Sequence, residues 1–265
     1  MTYACCVDAR SSARLAISTH RQFSPPLSVD VDMAVYRLSQ SFAFPSPEHA
    51  EPNGLLAVGG DLHPERLLRA YSEGIFPYPC EGLPLTWHSP DPRMLLHPSK
   101  AKVSRSMRKL MRKKDHFEMR ADTAFKEVVE RCANTRNATW ITPQIKAAYT
   151  QLHHLGFAHS IETWHNGELV GGLYGISLGR AFFGESMFHT KSNASKAAFL
   201  TLCKQAERWK FLMIDCQLPT DHLFSLGAYT VDRKEFLKDL ETARRYPTRL
   251  GRWRLDEDLW DTKNP

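Results

Sequence analysis

Residues 159–188 read HSIETWHNGELVGGLYGISLGRAFFGESMF, and this stretch decides the fold. Its apolar groups do not recur at helical spacing; they come in runs rich in Ile, Leu, Val, Tyr and Phe, broken by Gly and Asn. Asn166-Gly167 between two such runs is a strong hairpin signal, because both central residues of a type I′ turn need positive φ. The spacing predicts strands at 159–164, 169–178 and 180–188, with a second turn at Gly179. The run Gly171-Gly172-x-x-Gly175 falls inside a strand, so it marks a bulge or a close approach rather than a phosphate loop.

Helices are expected on both sides of this meander. Ser104 suits the cap of a helix running to about 114, and Asp122 the cap of another with Phe125, Val128, Val129 and Cys132 as its buried stripe. Thr142-Pro143 opens a third, carrying Ile145, Tyr149, Leu152 and Leu155 and closed by Gly156. A helix at about 193–210 leads into the strand that holds IDCQ, residues 214–217. Helices, meander, helix and strand in that order predict an α+β fold with a mixed sheet.

Upstream, residues 42–62, FAFPSPEHAEPNGLLAVGGDL, alternate short strands with Pro/Gly turns. A short helix starts at Pro64 and stops at Gly74, and Ser89-Pro90-Asp91-Pro92 suits a junction. Residues 1–32 lack periodicity and are expected to be a disordered extension or a start codon placed too early, with Met33 as initiator. The division is then 33–92 for a small N-terminal domain and 93–265 for the second.

The chain has 265 residues, 42% hydrophobic and 24% charged, the balance of an ordinary globular protein. No apolar run reaches the roughly 20 residues a bilayer span requires. The cysteines form no CxxC pair and no Cys/His cluster at zinc spacing, so a reduced, cytoplasmic setting without metal is expected. A net charge of +6 favours a polyanionic partner once the charges cluster.

They do cluster. In SRSMRKLMRKK, residues 104–114, Arg105, Arg108, Lys109 and Arg112 fall at i, i+3, i+4 and i+7, with Lys113 at the border and Val103, Met107, Leu110 and Met111 opposite. No acidic residue lies among them. A solvated face without function is the usual fate of a charge run, but an unneutralised stripe over an apolar underside suits phosphate tracking better.

Two strings carry polar groups where a core is expected: Glu185 in FFGESMF and Asp215 in IDCQ. Side chains at i and i+2 of a strand share a face, so Asp215 and Gln217 point together and Cys216 points away. A carboxylate among apolar groups is costly unless paired, and such placements are enriched at functional sites; pairing with an Arg or capping a helix is the plainer alternative. Cys216 facing the core reads as structural rather than nucleophilic. Trp140, ahead of a helix start, reads first as a core residue.

The ordered strings FPSPE, EPNGLLAVGGDL, GIFPY, WHSPDPR, SRSM, TWIT, AYTQLHHLGFAHSIE, LVGGLYG, FFGESMF, NASKAA, IDCQ and SLGA, from about residue 44 to 233, resemble the leucyl/phenylalanyl-tRNA–protein transferase family. The resemblance implies an acetyltransferase-like (GNAT) second domain and transfer of Leu or Phe, less readily Met, from aminoacyl-tRNA to proteins with N-terminal Arg or Lys. It further implies a cytoplasmic, monomeric enzyme without cofactor that marks proteins for the N-degron pathway of degradation. By the same resemblance, Asp215 and Gln217 stand beside the acceptor amine and Glu185 near the acceptor's basic side chain. Tyr78, Trp140 and Phe182 match aromatics around the terminal adenosine and amino-acid pocket, and Leu173 a pocket position. Arg105, Lys109, Arg112 and Lys113 match tRNA contacts. Tyr78 stands where the family often has Trp, and Leu173 where Met is common. An acetyl-CoA-dependent acetyltransferase would need a pyrophosphate loop where this chain has SNASKAA, and a non-catalytic RNA-binding protein leaves Glu185, Asp215 and Gln217 unexplained.

Overall fold

The computed structural model describes residues 35–79, 84–113, 116–135 and 139–261. The expectation for residues 1–32 lies outside them. The first sheet is built from β1 (Tyr36–Leu38), β2 (Leu55–Gly59), β3 (Phe76–Pro77) and β4 (Thr86–His88), in the order β1-β2-β4-β3. Between β2 and β3 runs α1 (Pro64–Ser72), with Pro64 at its first turn and Leu67, Ala70 and Tyr71 buried.

The second sheet begins with β5 (Arg93–Leu96) and gathers α2 (Arg105–Met111), β6 (Glu118–Ala121), α3 (Phe125–Ala133), α4 (Pro143–His154), β7 (Ala158–His165), β8 (Glu168–Leu178), β9 (Ala181–His189), α5 (Ala194–Arg208), β10 (Met213–Gln217), α6 (Asp221–Ser225), β11 (Tyr229–Val231) and α7 (Arg233–Arg244). Its strand order is β11-β5-β10-β9-β8-β7-β6. The meander β7–β8–β9 is antiparallel, and β9–β10 is parallel, so the sheet is mixed. Asn166 and Gly167 both take positive φ, 51° and 79°, as the hairpin turn requires.

Each face of this sheet has its own core. One joins α3, α4 and α7 to α1 and the first sheet through Tyr71, Val128, Tyr149, Tyr174, Phe183 and Phe236. The other lies under α2 and α5 and includes Met107, Leu173, Phe182, Phe199 and Trp253. Gly171 and Gly175 serve close approach: a Cβ would fall 2.5 Å from Ala194 Cβ at the first and 2.1 Å from the Phe183 carbonyl at the second.

Two expected helix ends are corrected. The helix capped by Ser104, whose hydroxyl accepts the Met107 N–H, ends at Met111 rather than near 114, with Arg112 as its C-cap, its N–H bonding back to the Leu110 carbonyl. Asp122 does not cap α3. It sits at φ 54° and accepts the N–H groups of Ser160 (2.9 Å) and Trp253 (2.7 Å), while Glu162 accepts the Thr123 and Ala124 N–H groups at 2.8 Å each. A carboxylate from the neighbouring strand thus caps α3, and Asp122 fastens the C-terminal segment.

Candidate functional site

The parallel strands β9 and β10 are paired only where Met213, Ile214 and Asp215 face Ala181, Phe182 and Phe183. Beyond that point they part, and 184–187 on one side and 216–218 on the other are half-buried, while the residues before them are buried. A notch therefore opens between the two strands in the middle of the sheet. The polar residues singled out in the sequence stand at its edge.

Glu185 is there because β9 bulges. Gly175 faces Gly184 and Tyr174 faces Ser186, so Glu185 is an extra residue with no partner on β8. A bulge re-aims a side chain. Here it turns Glu185 toward the α1/α4 side, where Tyr71 donates to Oε1 at 2.8 Å and Tyr149 to Oε2 at 3.0 Å. The two phenol oxygens are also in hydrogen-bond contact with each other; with one proton on each phenol, all three bonds form together only when Glu185 carries its own proton. Gln217 Nε2 donates to Oε1 at 2.9 Å. Burial pushes the Glu185 carboxyl up to about 7; the nearby Asp215 adds to this, and the bonds from Tyr71, Tyr149 and Gln217 pull the other way. The Tyr174 hydroxyl, buried near Glu185, has no hydrogen-bond partner among the described residues.

Asp215 is fully buried and takes the plainer alternative, an Arg. Arg93 Nε meets Oδ1 at 2.9 Å and Nη2 meets Oδ2 at 2.6 Å, a bidentate pair with both side chains inaccessible. Arg93 also donates to the Gly74 carbonyl at 3.2 Å and lies over the rings of Phe76 and Phe236, at 5.0 and 4.4 Å. Asp215 Oδ1 also accepts the main-chain N–H of Gln217 at 2.9 Å. Cys216 points to the opposite core, as strand alternation requires, and burial raises its thiol well above the usual range.

The remaining residues divide by place. Tyr78 and Trp140 are half-buried and stack, centroids 5.9 Å apart and planes 23° from parallel. Leu173 and Phe182 are buried in the α5-side core, where Met187 and Cys216 are half-buried neighbours at the notch. Arg105, Arg108, Lys109 and Arg112 line one cleft of about 340 Å³ on α2, with Lys113 exposed just beyond. Sequence reasoning missed Arg93, Tyr71 and Tyr149 as partners. The available signal was weak: a buried Tyr on each of two helices needs a partner for its hydroxyl.

The second sheet coincides with a match to the family described as leucyl/phenylalanyl-tRNA protein transferase, over residues 95–241, and its N-terminal domain matches residues 60–91. A leucyl/phenylalanyl-tRNA–protein transferase of Legionella pneumophila (strain Corby) is 52% identical over 219 residues, 82% of this chain and 98% of the relative. One from Desulfatibacillum aliphaticivorans is 52% identical, covering 85% and 98% of the two chains. One from Myxococcus xanthus (strain DK1622) is 51% identical, covering 83% and 97%. On identity and coverage of this order, with both family segments in sequence, the chain belongs to the leucyl/phenylalanyl-tRNA–protein transferase family.

Proposed function

We propose that the chain transfers Leu or Phe, and Met less well, from aminoacyl-tRNA to the N-terminal Arg or Lys of acceptor proteins. The observation that carries this is the carboxylate of Glu185, held half-buried at the notch by two phenols and an amide. A buried acid pushed up to about 7 gains most from a partner that restores its charge, and the cationic side chain of an acceptor is such a partner.

The reaction needs no enzyme nucleophile, because an aminoacyl ester is already activated. The uncharged α-amine of the acceptor attacks the ester carbonyl, a C–N bond forms, and the C–O bond to the ribose breaks. The proton lost by nitrogen ends on the departing ribose oxygen, directly or through water. Gln217 spends its amide N–H on Glu185 and keeps its amide oxygen to accept an N–H from the attacking amine. An amide is too weak a base to take the proton outright, so its contribution is orientation.

Leu173 and Phe182, with Met187 and Cys216 at the rim, supply apolar surface for the donor side chain, and the Tyr78–Trp140 stack supplies a face for the terminal adenine. The α2 cleft supplies phosphate contacts through Arg105, Lys109 and Arg112, and Lys113 extends them just beyond it. The acetyltransferase-like reading of the second sheet, the division at 92/93, a cytoplasmic monomer and the N-degron role belong to the same proposal. No described helix is long and apolar enough to cross a membrane.

Incubation with labelled Leu-tRNA or Phe-tRNA and peptides beginning with Arg, Lys or Asp tests the proposal. Label is expected on the Arg and Lys peptides alone, and RNase added beforehand is expected to abolish it. Transfer to the Asp peptide at the same rate overturns the acceptor assignment. No transfer to any peptide overturns the whole reading.

A further inference from the structure

The α2 cleft leaves one electrostatic question open. It carries the positive stripe, but the ester of a bound aminoacyl-tRNA must lie at the notch, and the nucleotides joining the two have to cross the α5 side of the sheet. Basic residues gather on that route. His189 ends β9, four residues beyond Glu185 and so roughly 13 Å along the strand. Its Nδ1 lies 3.2 Å from Ser195 Oγ, tying the end of β9 to the first turn of α5. Lys196 follows in that turn, Lys191 precedes it, and His222 stands in α6, five residues past Gln217.

Lys191 and Lys196 are half-buried, with no carboxylate partner among the described residues; Asp221, beside His222, pairs with neither. The 15-residue helix α5 also starts without a side-chain cap, since Asn193 takes a left-handed φ of 67° and its amide bonds to no first-turn N–H. Like charges are therefore crowded together. The His222 ring is driven down by partial burial and then by Lys196 and His189. His116 is driven down by desolvation and then by His165, Lys191 and Lys113, which joins the cluster to the end of the α2 stripe. An anion on this surface relieves the repulsion.

We propose that Lys191, Lys196, His189 and His222 form a second phosphate site, distinct from the α2 cleft, which holds the backbone phosphates of the single-stranded 3′ end of the aminoacyl-tRNA. The inference rests on the transferase reading above. It assigns the two basic surfaces different parts of one ligand: α2 takes the folded body, and the start of α5 takes the phosphates next to the reacting ester.

Three Leu donors separate these roles: full Leu-tRNA, a leucylated CCA trinucleotide, and 3′-O-leucyl-adenosine, which has no phosphate. With an Arg peptide as acceptor, Lys191→Gln/Lys196→Gln is expected to raise KM for the trinucleotide roughly tenfold and to lower its log–log salt slope by about 1.4, at about 0.7 per single-strand contact. KM for leucyl-adenosine stays within about twofold, and Lys191→Arg/Lys196→Arg restores the trinucleotide KM. Arg105→Gln/Lys109→Gln is expected to do the reverse, weakening full Leu-tRNA and leaving the trinucleotide unchanged. An unchanged trinucleotide KM in the lysine variant, or an equal loss with leucyl-adenosine, overturns the site while wild-type transfer still upholds the transferase reading. Failure of the wild-type protein with full Leu-tRNA overturns both.

Discussion

The carboxylate of Asp215 accepts the main-chain N–H of Gln217, two residues further along the same strand, at 2.9 Å. Gln217 has a φ of 61°, and β10 shifts register against β5 between these two residues. A left-handed non-glycine residue costs about 1 kcal/mol or more and persists only where its surroundings hold it. Arg93 holds Asp215, Asp215 holds the Gln217 backbone, and the Gln217 amide is thereby aimed at Glu185 and the notch. Asp215 is in this reading a positioning residue.

Asp215→Asn is accordingly expected to lower kcat roughly 100-fold, the order of loss from an ångström-scale misplacement, while tRNA affinity stays within about twofold. Asp215→Ala is expected to cost about 3–5 kcal/mol in denaturant unfolding, because it strands the buried Arg93 charge. Arg93→Met/Asp215→Leu is expected to recover much of that stability and none of the kcat. Recovery of kcat in the double variant would show that the pair serves stability alone.

Cys216 gives the contrasting case. It lies between Asp215 and Gln217 in sequence but packs into the opposite core, with a thiol that burial keeps protonated. Cys216→Ala is expected to keep kcat within about twofold, to cost about 1 kcal/mol, and to leave the protein insensitive to iodoacetamide. A folded, tRNA-binding, inactive Cys216→Ala protein would restore covalent catalysis.

What could be read from the sequence was what local rules determine. The Asn166-Gly167 turn, the three strands and the Thr142-Pro143 helix start each depend on neighbours within a few residues. Glu185 and Asp215 stood out because a carboxylate among Phe and Ile has a cost that must be met somewhere. The partner that meets it for Asp215 is 122 residues away on β5, and no periodicity points to it. The bulge that re-aims Glu185 is likewise invisible without the register of β8. Asp122 misled because an acid three residues before an apolar stripe is what an N-cap looks like, whereas the C-terminal segment claims its carboxylate.

That last contact is itself testable. Asp122 accepts the Trp253 N–H at 2.7 Å and His159 Nδ1 stands 2.8 Å from it, with the His159 ring stacked on Trp253 at 3.8 Å. Asp122→Ala leaves the Ser160 and Trp253 N–H groups unpaired in a buried place, at about 1–3 kcal/mol for each. The C-terminal segment is expected to be cut first by trypsin, after Arg249 or Arg252, in this variant and not in the wild type. Identical cleavage in both would show that α5 contacts alone hold the segment.

The sharpest expectation concerns Glu185 and pH. Its carboxyl titrates near 7 instead of the ordinary 4.5, chiefly through burial. Only the charged form pairs with an acceptor's cation, so KM for Arg peptides is expected to fall as pH rises through about 7. The acceptor α-amine, with an ordinary pKa of about 7.7–8.0, gives a second step that also favours high pH. Glu185→Gln should remove the first step, keep the second, and raise KM for Arg and Lys peptides at pH 8. Stability follows the opposite sign. Between about 4.5 and 7 the folded protein holds a proton that the unfolded chain has released, so this residue lowers stability as pH rises through that window, by at most about 3 kcal/mol. Glu185→Gln should therefore gain stability relative to wild type at pH 8 compared with pH 4, measured by urea unfolding at both. A variant that keeps both kinetic steps would remove Glu185 from acceptor recognition.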